Sequence, residues 1–145
     1  MTLEELYEEF DFLGDWDARG DFLIDLGFEL PKLPDEAKTD ENKIKRCQNN
    51  VWMTLALNTS ASAPSIEISA QSDSYFVNGL IVVLLAMFQG KTPEEILNVD
   101  VKQVLSKLGL DRQVLASRKN GLFEMVTRIR EFAAHAQTAL DAAES

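Results

Sequence analysis

The spacing of apolar residues over the first thirty positions predicts two short helices. In residues 2–12, apolar side chains recur at intervals of three or four and so share one helix face: Leu3, Leu6, Tyr7 and Phe10. Residues 15–29 continue mostly at this spacing, with Trp16, Phe22, Leu23, Leu26 and, just beyond them, Leu30. The segment "ELPKLPDEAKTDENK" then ends the pattern, because two prolines and a polar run are typical of a loop.

From residue 47 the pattern changes to alternation, which predicts two strands. Residues 47–57 place one set of side chains at every second position: Cys47, Asn49, Val51, Met53, Leu55 and Leu57. Residues 66–72, "IEISAQS", alternate in the same way. The segment between them, "NTSASAPS", is a flexible connection. An antiparallel hairpin is therefore expected, with Cys47 opening its first strand.

A buried helix is predicted after the second strand. The residues "SDS" at 72–74 are favoured helix N-caps, and the helix is expected to run from Tyr75 to Gln89 before Gly90 ends it. It contains the longest strongly apolar stretch, "GLIVVLLAMF" at 79–88. Ten apolar residues are too few to cross a bilayer, so a helix that is apolar nearly all round indicates burial.

Three further helices are expected in the remainder of the chain. The residues "TPEE" at 92–95 form a capping box that starts a short helix to about Asn98. A second helix crosses residues 101–110. The last begins near Ser117 and carries one apolar stripe: Leu122, Met125, Val126, Ile129, Phe132, Ala133 and Ala136. Together these elements predict one α+β domain over residues 1–145, with a small antiparallel β-sheet packed against several α-helices.

Charge is distributed unevenly along the 145 residues, whose formal net charge is −10. Residues 1–42 contain 14 acidic and 3 basic residues, whereas Lys43, Lys45 and Arg46 form a basic group directly before Cys47. The negative total argues against a nucleic-acid partner, which would require a basic face. The acidic N-terminus resembles neither a signal peptide nor a transit peptide, so a cytoplasmic protein without membrane association is expected.

Cys47 is the only cysteine, and His135 is the only histidine. This composition excludes an intrachain disulfide and leaves no His/Cys metal cluster, so no metal site is expected. The three basic residues favour the thiolate, the reactive form of cysteine. However, an isolated cysteine is more often a buried structural residue, and local sequence alone favours that role. His135 is expected on the polar side of the last helix, which argues against a Cys/His hydrolase.

Arg118 and Asp73 are further candidates. A cation in the first turn of the last helix opposes the helix dipole, so Arg118 is expected to have another partner. That partner is either an acid such as Asp111 or an anion such as a thiolate. Asp73, like Glu94 and Glu95, lies where helix starts favour acids, so a structural role is expected for it.

Several segments, in order, resemble the SufE family of sulfur-acceptor proteins, which includes CsdE. "NKIKRCQNNVW" resembles the family segment around the sulfur-accepting cysteine, and "SDSYFVNGLIVVLL" is similar to the start of a family helix. "LPDE", "TPEEILNVDV" and "SRKNGLFEMVTRIR" resemble three other segments, so the likeness extends from about Phe22 to Ala134. Arg46 stands where the family usually has glycine, and Asn49 where it usually has serine. Because glycine permits backbone conformations that arginine resists, the shape of the cysteine loop is expected to differ.

The resemblance implies that Cys47 accepts a persulfide from a PLP-dependent cysteine desulfurase of the SufS or CsdA type. The sulfur would pass to an iron–sulfur cluster scaffold or another acceptor, and the desulfurase would be stimulated. The protein would thus be a sulfurtransferase-type carrier and desulfurase activator, with no cofactor of its own, rather than a stand-alone enzyme. The loop would tuck against the body and open for its partner. The residues expected to support the thiolate or persulfide, or to contact the partner, are Lys43, Lys45, Arg46, Gln48, Asp73 and Arg118.

Two other functions remain open at this point. The first is a regulator that binds the desulfurase without carrying sulfur, which the arginine at position 46 motivates. The second is a helical adaptor with a structural cysteine. A regulator would act without its thiol, and an adaptor would protect Cys47 from alkylation in the native state.

Overall fold

The computed structural model of the chain describes residues 1–112 and 119–144. Within these residues it contains six α-helices, one 3₁₀ turn and a two-stranded antiparallel sheet, so the predicted α+β fold is confirmed. The predicted start of the last helix, Ser117, lies outside the described residues. The elements are α1 (Leu3–Leu13), α2 (Trp16–Glu29), the 3₁₀ turn (Asp35–Ala37), β1 (Val51–Asn58), β2 (Ser65–Ser72), α3 (Tyr75–Phe88), α4 (Pro93–Leu97), α5 (Val101–Lys107) and α6 (Lys119–Glu144).

Side-chain caps set the beginnings of the helices. At α4 the predicted capping box is confirmed: the Glu95 N–H donates to the Thr92 hydroxyl (3.2 Å), and the Thr92 N–H donates to Glu95 Oε1 (2.9 Å). A second capping box joins Thr2 and Glu5 at α1. These side chains satisfy backbone N–H groups that have no partner within the helix. Single side chains cap three other helices: Asp15 at α2, Ser74 at α3 and Asp100 at α5.

The hairpin begins later than the alternating pattern predicted. β1 and β2 pair from Val51 opposite Ser72 to Asn58 opposite Ser65, so the prediction that Cys47 opens the first strand was wrong. The reason is a backbone hydrogen bond from Ile44 N–H to the Val51 carbonyl (2.8 Å). It pairs the residues on either side of positions 45–50 and leaves Cys47 at the tip of a loop.

Both edges of this small sheet are partly covered. On the β1 side, the segment 42–44 runs antiparallel to the strand, and the Met53 N–H donates to the Asn42 carbonyl (2.8 Å). On the β2 side, the Gln89 side-chain amide donates to the Ile68 carbonyl (2.8 Å) and accepts from its N–H (2.7 Å). Gln89 therefore occupies the hydrogen-bonding groups that a neighbouring strand would use.

The core lies around α3, which is the buried helix that the sequence predicted. α2 crosses it with the backbones in contact, because a Cβ on Gly79 would overlap the Leu23 carbonyl oxygen and one on Gly27 would overlap that of Tyr75. The apolar stripe of α6 packs against the same core. Its predicted members are buried except for Phe132, which is half-buried.

Candidate functional site

Cys47 lies half-buried in the loop of residues 45–50, against α6. It packs there against Gly121, which has no side chain to occupy the contact. A Cβ built on Gly121 would lie 3.3 Å from both Cα and Cβ of Cys47 and would overlap its Sγ atom. Glycine at this position therefore provides the space that the thiol fills.

Arg46, directly before the cysteine, adopts a positive φ of 66°. Within the part of the chain that the structure describes, no other residue except glycine does so. Such a conformation costs an L-residue about 1–2 kcal/mol, whereas glycine adopts it freely. Arginine at this position thus has a backbone conformation that a glycine would also permit, and backbone strain of this kind often accompanies functional sites.

The side chain of Arg46 points to an acid on α6. Its Nε atom lies 3.8 Å from Glu124 Oε1, and the two side chains are 71% and 38% exposed. An ion pair this accessible to solvent contributes little to stability. It does orient a positive charge beside the cysteine loop.

A second contact with α6 holds the beginning of the loop. Arg128 donates from Nη1 to the Glu41 carbonyl (3.3 Å) and from Nη2 to the Lys43 carbonyl (3.2 Å). Gly121, Glu124 and Arg128 are spaced by three and four residues, so they share one face of α6. This face of α6 was not among the site residues predicted from the sequence. The available signal was the spacing of these three residues beside the predicted apolar stripe.

Asp73 holds the other end of the loop. Its carboxylate accepts a hydrogen bond from Asn50 Nδ2 (3.0 Å), and its N–H donates to the Asn50 carbonyl (3.2 Å). The turn before it is fixed by the buried Asn78, whose side chain accepts from the Ser72 N–H (2.6 Å) and donates to the Ser72 carbonyl (3.1 Å). Asp73 is therefore placed at the site through Asn50, three residues after Cys47.

The predicted basic residues lie together with the cysteine. Lys43, Lys45, Arg46 and Cys47 line an open groove of about 410 Å³, with Asp40 and Ile44 completing its wall. Gln48 is exposed beside Cys47 in the loop. The remaining predicted site residue, Arg118, lies outside the described residues. Three cationic side chains and one carboxylate therefore line the groove beside the cysteine.

The described part of the chain shows neither a metal-binding cluster nor a membrane-spanning helix. Among residues 1–112 and 119–144, no group of three or more His, Cys, Asp or Glu side chains is arranged to hold a metal ion. No helix in these two ranges is both long and apolar enough to span a membrane. His135 is exposed on α6, as predicted.

Comparisons with known proteins identify the family to which the chain belongs. Residues 4–133 match the family model described as "SufE: Fe-S metabolism associated domain". An uncharacterized SufE-like protein of Rhizobium meliloti (strain 1021) is 34% identical over 129 residues, which are 89% of this chain and 92% of the relative. Another from Rhizobium etli is 37% identical over 130 residues, 90% of this chain and 88% of the relative.

A solved structure shares the fold at lower sequence identity. The solution structure of a hypothetical protein from Thermus thermophilus aligns with a TM-score of 0.72 and 17% identity. The alignment covers 95% of this chain and 99% of that one. The expected resemblance is confirmed by the family model and the relatives: this chain belongs to the SufE family, which is associated with iron–sulfur metabolism and sulfur transfer.

Proposed function

We propose that Cys47 accepts sulfane sulfur from a PLP-dependent cysteine desulfurase. The Cys47 thiolate attacks the outer sulfur of the persulfide on the desulfurase cysteine. A new sulfur–sulfur bond forms at Cys47 while the old one breaks, and the desulfurase cysteine leaves as a thiolate. No external oxidant or reductant is consumed, since this is thiol exchange at a sulfur–sulfur bond.

The position of Cys47 is the observation that carries this proposal. It lies at the tip of a loop, half-buried against Gly121, with three cationic side chains lining the adjacent groove. The cations favour the attacking thiolate, and partial burial limits access by reductants. Because the chain has a single cysteine, no second thiol in it can discharge the persulfide as an intrachain disulfide.

Membership of the SufE family supports the direction of transfer. The cargo would pass from Cys47 to an iron–sulfur cluster scaffold or another acceptor in the cytoplasm, and the chain would need no cofactor of its own. Removal of the persulfide frees the desulfurase for another turnover, so the carrier would also stimulate that enzyme.

The decisive experiment measures the mass of the intact protein. After incubation with a PLP-dependent cysteine desulfurase and L-cysteine, the wild type should gain the mass of one sulfur atom at Cys47, and a reductant should remove it. Cys47→Ser is the matched control and should neither gain sulfur nor stimulate the desulfurase. The proposal would be contradicted if the wild type gained no sulfur, or if the Cys47→Ser variant stimulated the desulfurase as much as the wild type does.

The alternative is a regulator that binds the desulfurase without carrying sulfur. Its motivation is the arginine that replaces the usual glycine at position 46. Arg46 has a positive φ, a conformation that glycine adopts freely, so the replacement alone is no evidence against the carrier. A complex and an altered turnover rate that both survive Cys47→Ser would establish the regulator instead.

A further inference from the structure

Two aromatic side chains from different helices form an exposed stack away from the core. Phe28 of α2 is 61% exposed and Tyr75 of α3 is 52% exposed. Their ring centroids are 4.0 Å apart, and the ring planes differ by 22°. Ile24 lies one turn before Phe28 on α2 and is 37% exposed. These three residues are called the aromatic patch.

The patch differs from ordinary exposed apolar residues because its two aromatic side chains are in contact with one another across two helices. Single exposed hydrophobic side chains are normal on a soluble protein, whereas large contiguous apolar patches mark interaction surfaces, and here two exposed rings from different helices are joined into one patch. Aromatic side chains are enriched at protein interfaces and among the few residues that dominate binding energy. Phe12 illustrates the ordinary case, since it is 83% exposed on α1 and forms no ring stack in the described structure.

The charge around the patch is acidic. Asp21, Asp25 and Glu29 are exposed on the same helix as Phe28, and Asp73 is exposed two residues before Tyr75. The next base along the chain, Lys32, lies beyond the end of α2. The complementary surface is therefore an apolar pocket bordered by Lys and Arg side chains.

The patch also lies within reach of the cysteine loop. Tyr75 is two residues from Asp73, which is hydrogen-bonded to Asn50, and Asn50 is three residues from Cys47. An extended chain spans at most about 3.6 Å per residue, so the Cα atoms of Tyr75 and Cys47 are within roughly 25 Å. A standard interface buries about 800 Å² on each partner, a surface roughly 30 Å across. The separation of the patch from Cys47 is therefore within the width of one such interface.

We propose that the aromatic patch is a second contact surface for the protein that delivers sulfur to Cys47. The partner inserts Phe28 and Tyr75 into an apolar pocket, and its basic side chains face the acids of α2. This builds on the role proposed for Cys47. A second copy of the chain fits less well, because a two-fold interface at this surface would place the acidic residues of α2 against each other.

The test compares the affinity of three proteins for the cysteine desulfurase of the same organism, measured by titration calorimetry. The double variant Phe28→Ser/Tyr75→Ser removes the patch, and Phe12→Ser is a matched control on α1. We expect the double variant to raise Kd at least tenfold, an effect typical of interface hot spots. The control should bind like the wild type, and wild-type affinity should fall as salt increases.

Two further measurements separate this inference from the proposed function. Asp25→Lys leaves the aromatic rings in place and should also raise Kd, which guards against misfolding of the double variant. Sulfur uptake at Cys47 is followed by mass at saturating desulfurase, where the double variant should still be loaded. If the double variant takes up sulfur and its Kd for the desulfurase equals that of the wild type, the patch is not a docking surface, but the proposal that Cys47 carries sulfur still stands. Patch-dependent binding without loading of any variant would support the patch as a docking surface and overturn the carrier.

Two outcomes overturn the docking surface outright. One is a wild type that does not bind the desulfurase. The other is a wild type that self-associates in sedimentation while the double variant stays monomeric, since the patch would then be a dimer interface.

Discussion

Gly121 and Cys47 are packed so closely that any side chain at position 121 would occupy the space of the Cys47 sulfur. Gly121→Ala should therefore displace the cysteine loop. Alanine stabilises a helix by about 1 kcal/mol relative to glycine, but overpacking costs about 1–3 kcal/mol. We expect a net destabilisation of up to about 2 kcal/mol in urea unfolding and faster alkylation of Cys47 in the native state.

The matched control is Gly20→Ala in α2. A Cβ on Gly20 has no heavy atom within 4 Å outside its own helix and chain neighbours, so this change should stabilise the protein by about 1 kcal/mol and leave Cys47 alkylation unchanged. A Gly121→Ala variant that alkylates at the wild-type rate would contradict the close packing.

The backbone and the charge of Arg46 can be separated with two variants. Arg46→Gly relieves the positive-φ cost of about 1–2 kcal/mol but makes the unfolded chain more flexible, which offsets about 0.4–1 kcal/mol. Arg46→Ala keeps the backbone cost, so the glycine variant should be more stable than the alanine variant by about 1 kcal/mol in urea unfolding. An alanine variant of equal or greater stability would argue against strain at this residue.

The same two variants report on the charge at the site. Both remove the guanidinium that lies 3.8 Å from Glu124, so both should slow alkylation of Cys47 to a similar extent if the charge favours the thiolate. Slower alkylation in only one of them would indicate that loop shape, rather than charge, controls the thiol.

Arg128 should control how firmly the loop is anchored. Arg128→Gln removes hydrogen bonds to the carbonyls of Glu41 and Lys43, each worth about 1 kcal/mol. We expect faster hydrogen exchange at the Ile44 and Met53 amides. These amides donate the hydrogen bonds that join the segment 42–44 to β1.

A matched change elsewhere on α6 is Arg130→Gln. Arg130 donates to the Val99 carbonyl (2.7 Å), away from the cysteine loop. Its loss should destabilise the contact around Val99 without a selective increase in the hydrogen-exchange rate of the Ile44 amide. Equal exchange at Ile44 in both arginine variants would show that Arg128 has no special role.

The capping box of α4 predicts a pH dependence. Hydrogen bonds from the Thr92 backbone and hydroxyl hold the pKa of Glu95 below its ordinary value. The ionised carboxylate therefore contributes stability above the pKa of an unfolded glutamate, and this contribution is lost as pH falls through the lowered folded pKa. Urea unfolding should show Glu95→Gln to be less stable than the wild type at neutral pH, with a gap that narrows on acidification.

Glu94→Gln, one residue earlier in the same helical turn, serves as the control for net charge. It should not reproduce the pH-dependent gap of Glu95→Gln, because only Glu95 bonds to Thr92 in the capping box. If both variants differ from the wild type in stability by the same pH-dependent amount, the effect comes from overall charge and not from the capping box.

Much of the fold followed from local patterns. Helical spacing placed α1 and α2, and the capping residues located α3 and α4 to within about a residue. Alternation located the hairpin but started it at Cys47, because Cys47 and Asn49 continue the period without belonging to the ladder. The hydrogen bond between Ile44 and Val51 closes the loop before the strand begins, and periodicity carries no information on that pairing.

The site was predictable in part. The cysteine and its basic neighbours are adjacent in sequence, so Lys43, Lys45 and Arg46 could be assigned to it directly. The contacts from Gly121, Glu124 and Arg128 arise only when α6 packs beside a loop that is more than seventy residues distant in sequence. The stack of Phe28 on Tyr75 likewise depends on the crossing of α2 and α3.

The hydrogen bond that closes the base of the cysteine loop also sets a length. Cys47 is three residues from Ile44, and three extended residues span about 10 Å. While the Ile44–Val51 bond holds, the sulfur can travel no further than this from its anchor, apart from the length of its own side chain. If the reacting sulfur of the donor lies deeper in a cleft than this distance, one of two things must happen. Either the cleft also accommodates the end of the hairpin, or the Ile44–Val51 hydrogen bond breaks first.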